Sequence, residues 1–403
     1  MIKLAEGIPK SWGKSTIGKI ALIHGGKPAP QNPSAFVSNG IPFVRMKDLG
    51  RYHLTKNLEK VDSYLDPEFI SDRKILPIKA GAILMPRSGS VALNHRAILG
   101  VDAVIVSHIC AVEITDPNIL NVFLYRYLCR IRMDKITKKT TGLDAVNFSD
   151  LRKIEVPVPP IEEQRKIVAI LDKADAIRRK REQALKLADD FLRSLFLDMF
   201  GDPVDPELQS NVSSIGIECN LFAGNSLPLG EEFEGQQGGL LLLKVSDLNS
   251  PGNENVIQSA RLWSSDSKKV RRSLIVPKGA IVFPKRGGAI ATNKKRILGR
   301  HAVLDPNLMA VAPKKTSSIN FRYLRNWFGL LDLTSISSGS SVPQLNKKDL
   351  EPLKIVIPSL KQLEMFELIA MQIADTRQKT RSELSTASSL FASLSQRAFR
   401  GEL

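Results

Sequence analysis

The amino-acid sequence predicts an α+β protein of two globular α/β domains, separated by two long antiparallel helices forming a coiled coil, in a pseudo-twofold internal repeat. Three observations predict this. The distinctive phrases of the first half return in the second at a register close to 199 residues. Two stretches of nearly forty residues carry apolar side chains at the 3-4 spacing of a coiled-coil seam. The basic surplus is +9 over residues 1–160 and +6 over 201–359, against only +1 over each of 161–200 and 360–403.

Taken in order, PFVRMKDL at 42–49 is answered by LLLLKVSDL at 240–248. The strand-like run GAILM and the turn PRSGSVALNHRAILG, ending at Gly100, return as GAIVF and PKRGGAIATNKKRILG, ending at Gly299. YRYL at 125–128 matches FRYL at 321–324, and KKTTGLDAVNFSDL, ending at Leu151, matches SSGSSVPQLNKKDL, ending at Leu350. After the breakers Pro157, Pro159 and Pro160, the seam is predicted through Ile167, Leu171, Ala174, Leu185, Leu192 and Leu195, interrupted at Arg178 and Arg181. After Pro358 it is predicted through Phe366, Ile369, Ile373, Leu384, Phe391 and Leu394. A helix of that length rises about 60 Å and cannot bury its apolar stripe alone, so the two helices are expected to pack on each other.

The chain of 403 residues has room for two such domains. Its charge of +17 and pI near 9.7 suit a polyanionic partner, nucleic acid first. A membrane span is not expected, because the longest apolar stretch, Val101 to Ile114, is short and broken by Asp102, Ser107 and His108. That stretch reads as a buried strand pair. The opening MIKLAEGIPKSWGKS has no apolar core of signal-peptide length, and the expected location is the cytoplasm. Cys110, Cys129 and Cys219 are odd in number and form no CxxC, which argues against structural zinc.

Catalytic signatures are missing. GIPKSWGKS departs from a phosphate loop by leaving five residues between Gly7 and Gly13, and no buried strand precedes it. The five histidines form no HExxH, and GxSxG, GxGxxG and NPPY-like motifs are absent. Neither a catalytic residue nor a metal site is predicted. Aromatic residues make up 6% of the chain, few for stacking platforms, which favours duplex DNA over single strands or RNA.

The candidate DNA-binding residues come from the repeated turns. PRSGS and PKRGG close an apolar strand with cations and glycines, so that backbone N–H groups and a Lys or Arg can approach a phosphate. An isolated turn of this kind can equally be a hairpin with solvated charges. Two copies in register, followed by NHR or NKKR, point to Arg87, Ser88, Asn94, His95 and Arg96, and to Lys285, Arg286, Asn293, Lys294, Lys295 and Arg296. RMKD and KVSD are predicted on strands, placing Arg45 and Lys47 on one face, with Lys244 as the counterpart of Arg45. That face is either a DNA-facing edge or a solvated sheet surface. The polar loops at 138–144, with Lys138 and Lys139, and at 337–341 are either structural caps or ligand loops.

These motifs, and above all PVPPIEEQRKIVAILDKADAIRRKREQAL (157–185), LFLDMFGDP (195–203) and QRAFRGEL (396–403), resemble the specificity subunit of type I restriction-modification systems along the whole chain. The resemblance implies target-recognition domains at 1–158 and 201–358, alternating with conserved helices at 159–200 and 359–403. Each recognition domain would read one half of a bipartite duplex target, and the helical pair would set the gap. It further implies a non-catalytic chain with two partner methyltransferase (modification) subunits, which methylate adenine N6, and two ATP-dependent restriction subunits. S-adenosylmethionine, ATP and Mg would belong to those partners, and this chain would bind no cofactor. A stand-alone DNA-binding or antirestriction protein is the alternative. The second helix departs from the pattern: it begins PSLKQLEMF where the first has PPIEEQRKI, and its middle lacks the RRKR of 178–181.

Overall fold

The computed structural model describes residues 8–53, 55–89, 91–133, 145–202, 211–265, 270–339 and 342–403. The chain forms two compact units, Met1–Ala184 with Thr380–Leu403, and Leu185–Lys379. Unit 1 is therefore discontinuous in sequence, and unit 2 is one continuous segment.

In unit 1 a five-stranded sheet runs in the order Ala21–Gly25, Ile109–Ile114, Ile83–Pro86, Ala97–Leu99, Asn57–Leu58. All its pairings are antiparallel except the last. Its central strands read as unbroken apolar runs because both faces are covered. Ile83, Met85, Cys110 and Val112 enter one core with the helix Asn121–Cys129 and the ends of the long helices. Leu84, Ile109 and Ala111 point the opposite way, into a second core with Phe43, Val104 and Ile105 of a four-stranded sheet.

Unit 2 repeats the plan. Its five-stranded sheet has the order Cys219–Ala223, Leu308–Pro313, Ile281–Pro284, Arg296–Leu298, Val256–Ile257. Ile281, Phe283, Met309 and Val311 face the helix Phe321–Leu330, while Val282, Leu308 and Ala310 face the other way. The stretch 101–114, expected as a buried strand pair, holds two strands, Val104–Ile105 and Ile109–Ile114, but they lie in different sheets and do not pair with each other.

The two long helices are Ile161–Phe200 and Leu360–Ala398. A buried Gln164 fixes the start of the first. Its amide oxygen accepts from the Leu120 N–H at 2.9 Å, and its Nε2 donates to the carbonyls of Asn118 and Pro159. Ser359 and Gln362 cap the second reciprocally.

Within unit 1, Ile167 and Leu171 share a core with Phe391 and Leu394, and Arg181 pairs with Glu383 at 3.1 Å, so the two helical segments there run antiparallel. Within unit 2, Phe196 meets Phe366 with ring centroids 5.5 Å apart, and Arg377 pairs with Asp189 at 2.7 Å, again antiparallel. Of the seam residues, Ile167, Leu171, Ala174 and Phe366 are buried. Leu185, Leu192, Leu195, Ile369, Ile373, Leu384, Phe391 and Leu394 are half-buried.

The two long helices do more than separate the globular domains. Their ends are walls of the globular cores. Phe399 packs on Phe123 and Tyr127, each 5.3 Å between centroids. Phe200 packs on Tyr323 at 4.9 Å. Each unit is thus closed by the beginning of one helix and the end of the other. Among the described residues no helix is long and apolar enough to cross a membrane.

Candidate nucleic-acid interface

Each globular part brings its motifs together in two groups. The first forms around the turn that follows the central strand. In unit 1 the Arg87 N–H donates to the His108 carbonyl at 2.7 Å, the Val146 N–H donates to the Arg87 carbonyl at 2.8 Å, and the Arg87 guanidinium lies 4.8 Å from the Phe148 ring centroid. Ser88 bonds His108 Nδ1 through its hydroxyl at 2.8 Å.

In unit 2 the Lys285 N–H donates to the Asn307 carbonyl, the Leu345 N–H donates to the Lys285 carbonyl, and the Gly287 N–H donates to the Pro343 carbonyl. Val146 in unit 1, and Pro343 and Leu345 in unit 2, therefore lie against these turns. This geometry amends one expectation. The N–H groups of Arg87 and Gly287 are used within the fold, so a phosphate here must be met by side chains rather than by those amides. The glycines have a separate reason to be there: Gly89 and Gly287 sit at φ 78° and 67°, in the left-handed region.

The second group joins the NHR and NKKR turns to the segments after PFV and LLLL. Asn94 and Asn293 both take left-handed conformations, φ 53° and 49°. The Asn94 amide oxygen accepts from the Met133 N–H at 3.3 Å and from the Arg96 guanidinium at 2.9 Å. That of Asn293 accepts from the Leu333 N–H at 3.0 Å and from Lys295 Nζ at 2.9 Å. The His95 ring stacks on His53 with centroids 4.8 Å apart. Burial, with Arg96 alongside, lowers the pKa of His95, so it carries no standing positive charge near neutral pH. Lys294 reaches the Asn249 amide oxygen, and Lys295 reaches the Leu331 carbonyl. Burial pushes the Lys295 ammonium down to about 8.

Two assignments need correction. RMKD and KVSD are not on strands: the strands stop at Val44 and Leu243, and helical turns begin at Met46 and Val245. The cause is a cap. Buried Asp48 accepts from the Arg45 N–H, and buried Asp247 from the Lys244 N–H, both at 2.8 Å, which nucleates a helical turn where alternation predicted a strand. Arg45 and Lys47 consequently share no sheet face. Arg45 lies over Phe36 and Phe43 at 5.1 and 5.6 Å, and exposed Lys47 is held by Asp62 at 2.8 Å.

Arg96 is the second correction. It is wholly buried, donating to the carbonyl of His95 and to Asn94, and no DNA contact is open to it. Its Nε has no partner, and burial depresses its pKa. Its counterpart by the repeat register is Lys295, and Arg296, which stands where unit 1 has Ala97, is half-buried with an Nε that has no partner.

Among the candidates, Arg286 and Lys244 remain exposed, and Arg87 and Lys285 are half-buried beside them in the repeat. Arg286 makes no ion pair with any described residue. Lys138 and Lys139 lie outside the described residues.

Sequence reasoning passed over another set. Arg126 of YRYL, 7% exposed in its side chain, pairs with Asp172 at 2.6 Å and with Asp175 at 3.0 Å. Lys56 adds to Asp172 at 2.8 Å, while Arg178 and Arg179 add to Asp175 at 2.8 and 2.9 Å. The arginine shared by YRYL and FRYL was visible as repetition. Its burial was not, because its partners lie more than forty residues away on the first long helix.

Comparison with known proteins bears on all of this. A family model described as the type I restriction modification DNA specificity domain matches residues 9–187 and again 227–384. The chain is 30% identical over 176 residues to the specificity subunit of the type I restriction enzyme EcoR124I/EcoR124II of Escherichia coli, a match spanning 42% of each protein. It is 21% identical over 396 residues to the MjaIX specificity subunit of Methanocaldococcus jannaschii, covering 91% of this chain and 87% of that one. The fold is similar to that of the type I restriction-modification S subunit from M. genitalium, with TM-score 0.52 and 15% identity over 99% of this chain and 98% of the other. It is equally similar to a chain in a structure of type I R-M complex assembly, with TM-score 0.53 and 19% identity over 98% of this chain and 99% of the other.

Proposed function

Since this chain belongs to the type I restriction-modification DNA specificity family, we propose that it is the non-catalytic subunit that selects the duplex sequence to be modified or cut. Each globular part reads one half of a bipartite target, and the two long helices set the unread gap between the halves. Those helices dock two methyltransferase subunits, which bring S-adenosylmethionine, and two restriction subunits, which bring ATP and Mg, complete the assembly in the cytoplasm.

The observation that carries this reading is the repetition itself. Two basic domains of one plan each follow a buried strand with a cationic turn, and each is cored on the same pair of helices. A pseudo-twofold reader of this kind matches half-sites about one helical turn of DNA apart.

Co-expression with a candidate type I methyltransferase subunit, followed by mapping of N6-methyladenine, tests it. The expected result is a bipartite motif with a fixed gap that disappears when this chain is omitted; methylation that persists unchanged without it would refute the role. Removing one heptad from each helix should shorten the gap by about 10 Å, roughly three base pairs, and leave both half-sites unchanged. The deletion belongs between residues 176 and 190 and in the facing stretch of the second helix, because 167–171 and 192–200 are parts of the cores. Altered half-sites would count against the rod.

Arg286 offers a narrower check. Arg286→Ala is expected to weaken duplex binding evenly across sequences and to lower the slope of log affinity against log salt by about 1, as the loss of one phosphate contact does. Arg96→Gln should instead lower the melting temperature and leave that slope alone, because the residue is buried. Titrations by fluorescence anisotropy at several salt concentrations distinguish the two.

A further inference from the structure

The buried ion network of unit 1 has a counterpart in unit 2 from which the acids are missing. By the repeat register, Arg126 corresponds to Arg322 and Arg178 to Arg377, so both guanidiniums are kept. Asp172 corresponds to Met371, Asp175 to Ala374, and Lys56 to Asn255. Unit 1 fills this place with carboxylates bonded at 2.6 to 3.0 Å.

In unit 2 the same place is a cavity of about 590 Å³ lined by Arg193, Arg322, Arg325 and Arg377, with Asp189 as the one acid on its wall. Asp189 pairs with Arg377 at 2.7 Å, and the buried Nε of Arg377 has no partner. Arg322 has no carboxylate partner among the described residues. The remaining wall is apolar, with Phe196, Phe321, Leu330 and Ile297, and Asn255 and Asn326 add convergent amides. A recess of this size, in which cationic and amide groups converge beside an apolar wall, can take a small anionic molecule.

We propose that unit 2 binds a small anionic ligand here, one carrying two oxyanion groups on a body that can lie against Phe321. The two oxyanions take the places that the Asp172 and Asp175 carboxylates hold in unit 1. Arg322 and Arg377 receive them as charge-assisted hydrogen-bond donors. The shared chemistry is the pair of anionic groups, whether diphosphate or dicarboxylate. This inference does not depend on the DNA reading, because it rests on a cavity and on an internal comparison of the two units.

Thermal melting of the full chain with inorganic pyrophosphate, citrate or ADP, each at an ionic strength matched with potassium chloride, tests it. The expected result is a saturable rise of a few degrees in the unit 2 transition. ADP acting at lower concentration than pyrophosphate identifies a nucleotide-like ligand with its ring on Phe321, and citrate acting best identifies a carboxylate ligand; either supports the site. Arg322→Ala with Arg377→Ala should abolish the response. Ala374→Asp, which puts a carboxylate on the cavity wall, should abolish it too, and this second variant keeps the test decisive if the first folds poorly.

A rise that potassium chloride alone reproduces, or that survives in both variants, would overturn the proposal. So would no rise with any of the three anions, and so would a loss of duplex affinity in the arginine variants as the only effect, which would assign the cavity to DNA phosphate.

Discussion

Asp175→Ala is expected to destabilise unit 1 by about 3–5 kcal/mol, the usual consequence of stripping one partner from a buried ion pair. The Asp175 side chain is 4% exposed and is the only carboxylate to meet three guanidiniums, those of Arg126, Arg178 and Arg179, among the described residues. Removing it leaves Arg126 with Asp172 alone and leaves Arg179 facing uncompensated charge.

The pH dependence follows with a definite sign. Burial by itself would raise the pKa of Asp175, but the hydrogen bond from Arg178 and the charges of Arg126 and Arg179 outweigh it, and the net shift is downward. Burial also opposes the downward shift of Asp172, which Lys56 and Arg126 produce. A carboxylate whose folded pKa is depressed contributes stability above its unfolded pKa, near 3.9, and loses it as the pH falls through the folded value. The difference in melting temperature between the wild type and Asp175→Ala should therefore be full at pH 7 and at pH 5, and should shrink only in strong acid. A difference that vanished between pH 7 and 5 would show that Asp175 is not the ionised centre of the network.

Phe399→Ala should cost about 3–5 kcal/mol as well, but through packing. Phe399 is 2% exposed between Phe123 and Tyr127, and truncation opens a cavity where one tilted and one edge-on aromatic contact stood. The informative part is where the damage falls. Phe399 ends the segment that follows the second globular domain in sequence, yet its side chain belongs to the core of unit 1. Phe200→Ala, in contrast, strikes unit 2, where Phe200 sits against Tyr323 and Phe366. Limited proteolysis should show Phe399→Ala cut within unit 1 with unit 2 resistant, and Phe200→Ala the reverse. Phe399→Ala cut within unit 2 would refute the crossed packing.

The sequence carried the repeat and the two long helices, because each rests on periodicity that survives without knowledge of distant partners. The Tyr of YRYL and FRYL shows this well: Tyr127 donates to the Glu155 carbonyl at 2.8 Å and Tyr323 to the Val356 carbonyl at 2.7 Å, one role written twice. RMKD failed because two apolar residues before a cation fit an alternating pattern, while the deciding fact was whether Asp48 could turn back on the Arg45 amide.

Arg96 failed for a related reason. A cation beside an asparagine looks like a reader of phosphate or base, and only the left-handed Asn94 shows the turn folding back over it. Seam residues such as Phe391 were legible as apolar. Their second allegiance, to the globular cores, was not, because a 3-4 pattern gives a face and not the neighbour it meets.

The sequence discontinuity of unit 1 orders events during synthesis. A nascent chain possesses everything unit 2 is made of once Lys379 has left the ribosome. Unit 1 at that moment still lacks one wall, and the pocket around Phe123 and Tyr127 stays open until Phe399 is made. Closing it joins segments separated by the whole of Leu185–Lys379, and each doubling of a flexible loop adds about 0.6 kcal/mol to the entropy of closure. A unit 2 that has already folded shortens that loop. Translation that stops short of Phe399 leaves the aromatic pocket of unit 1 bare.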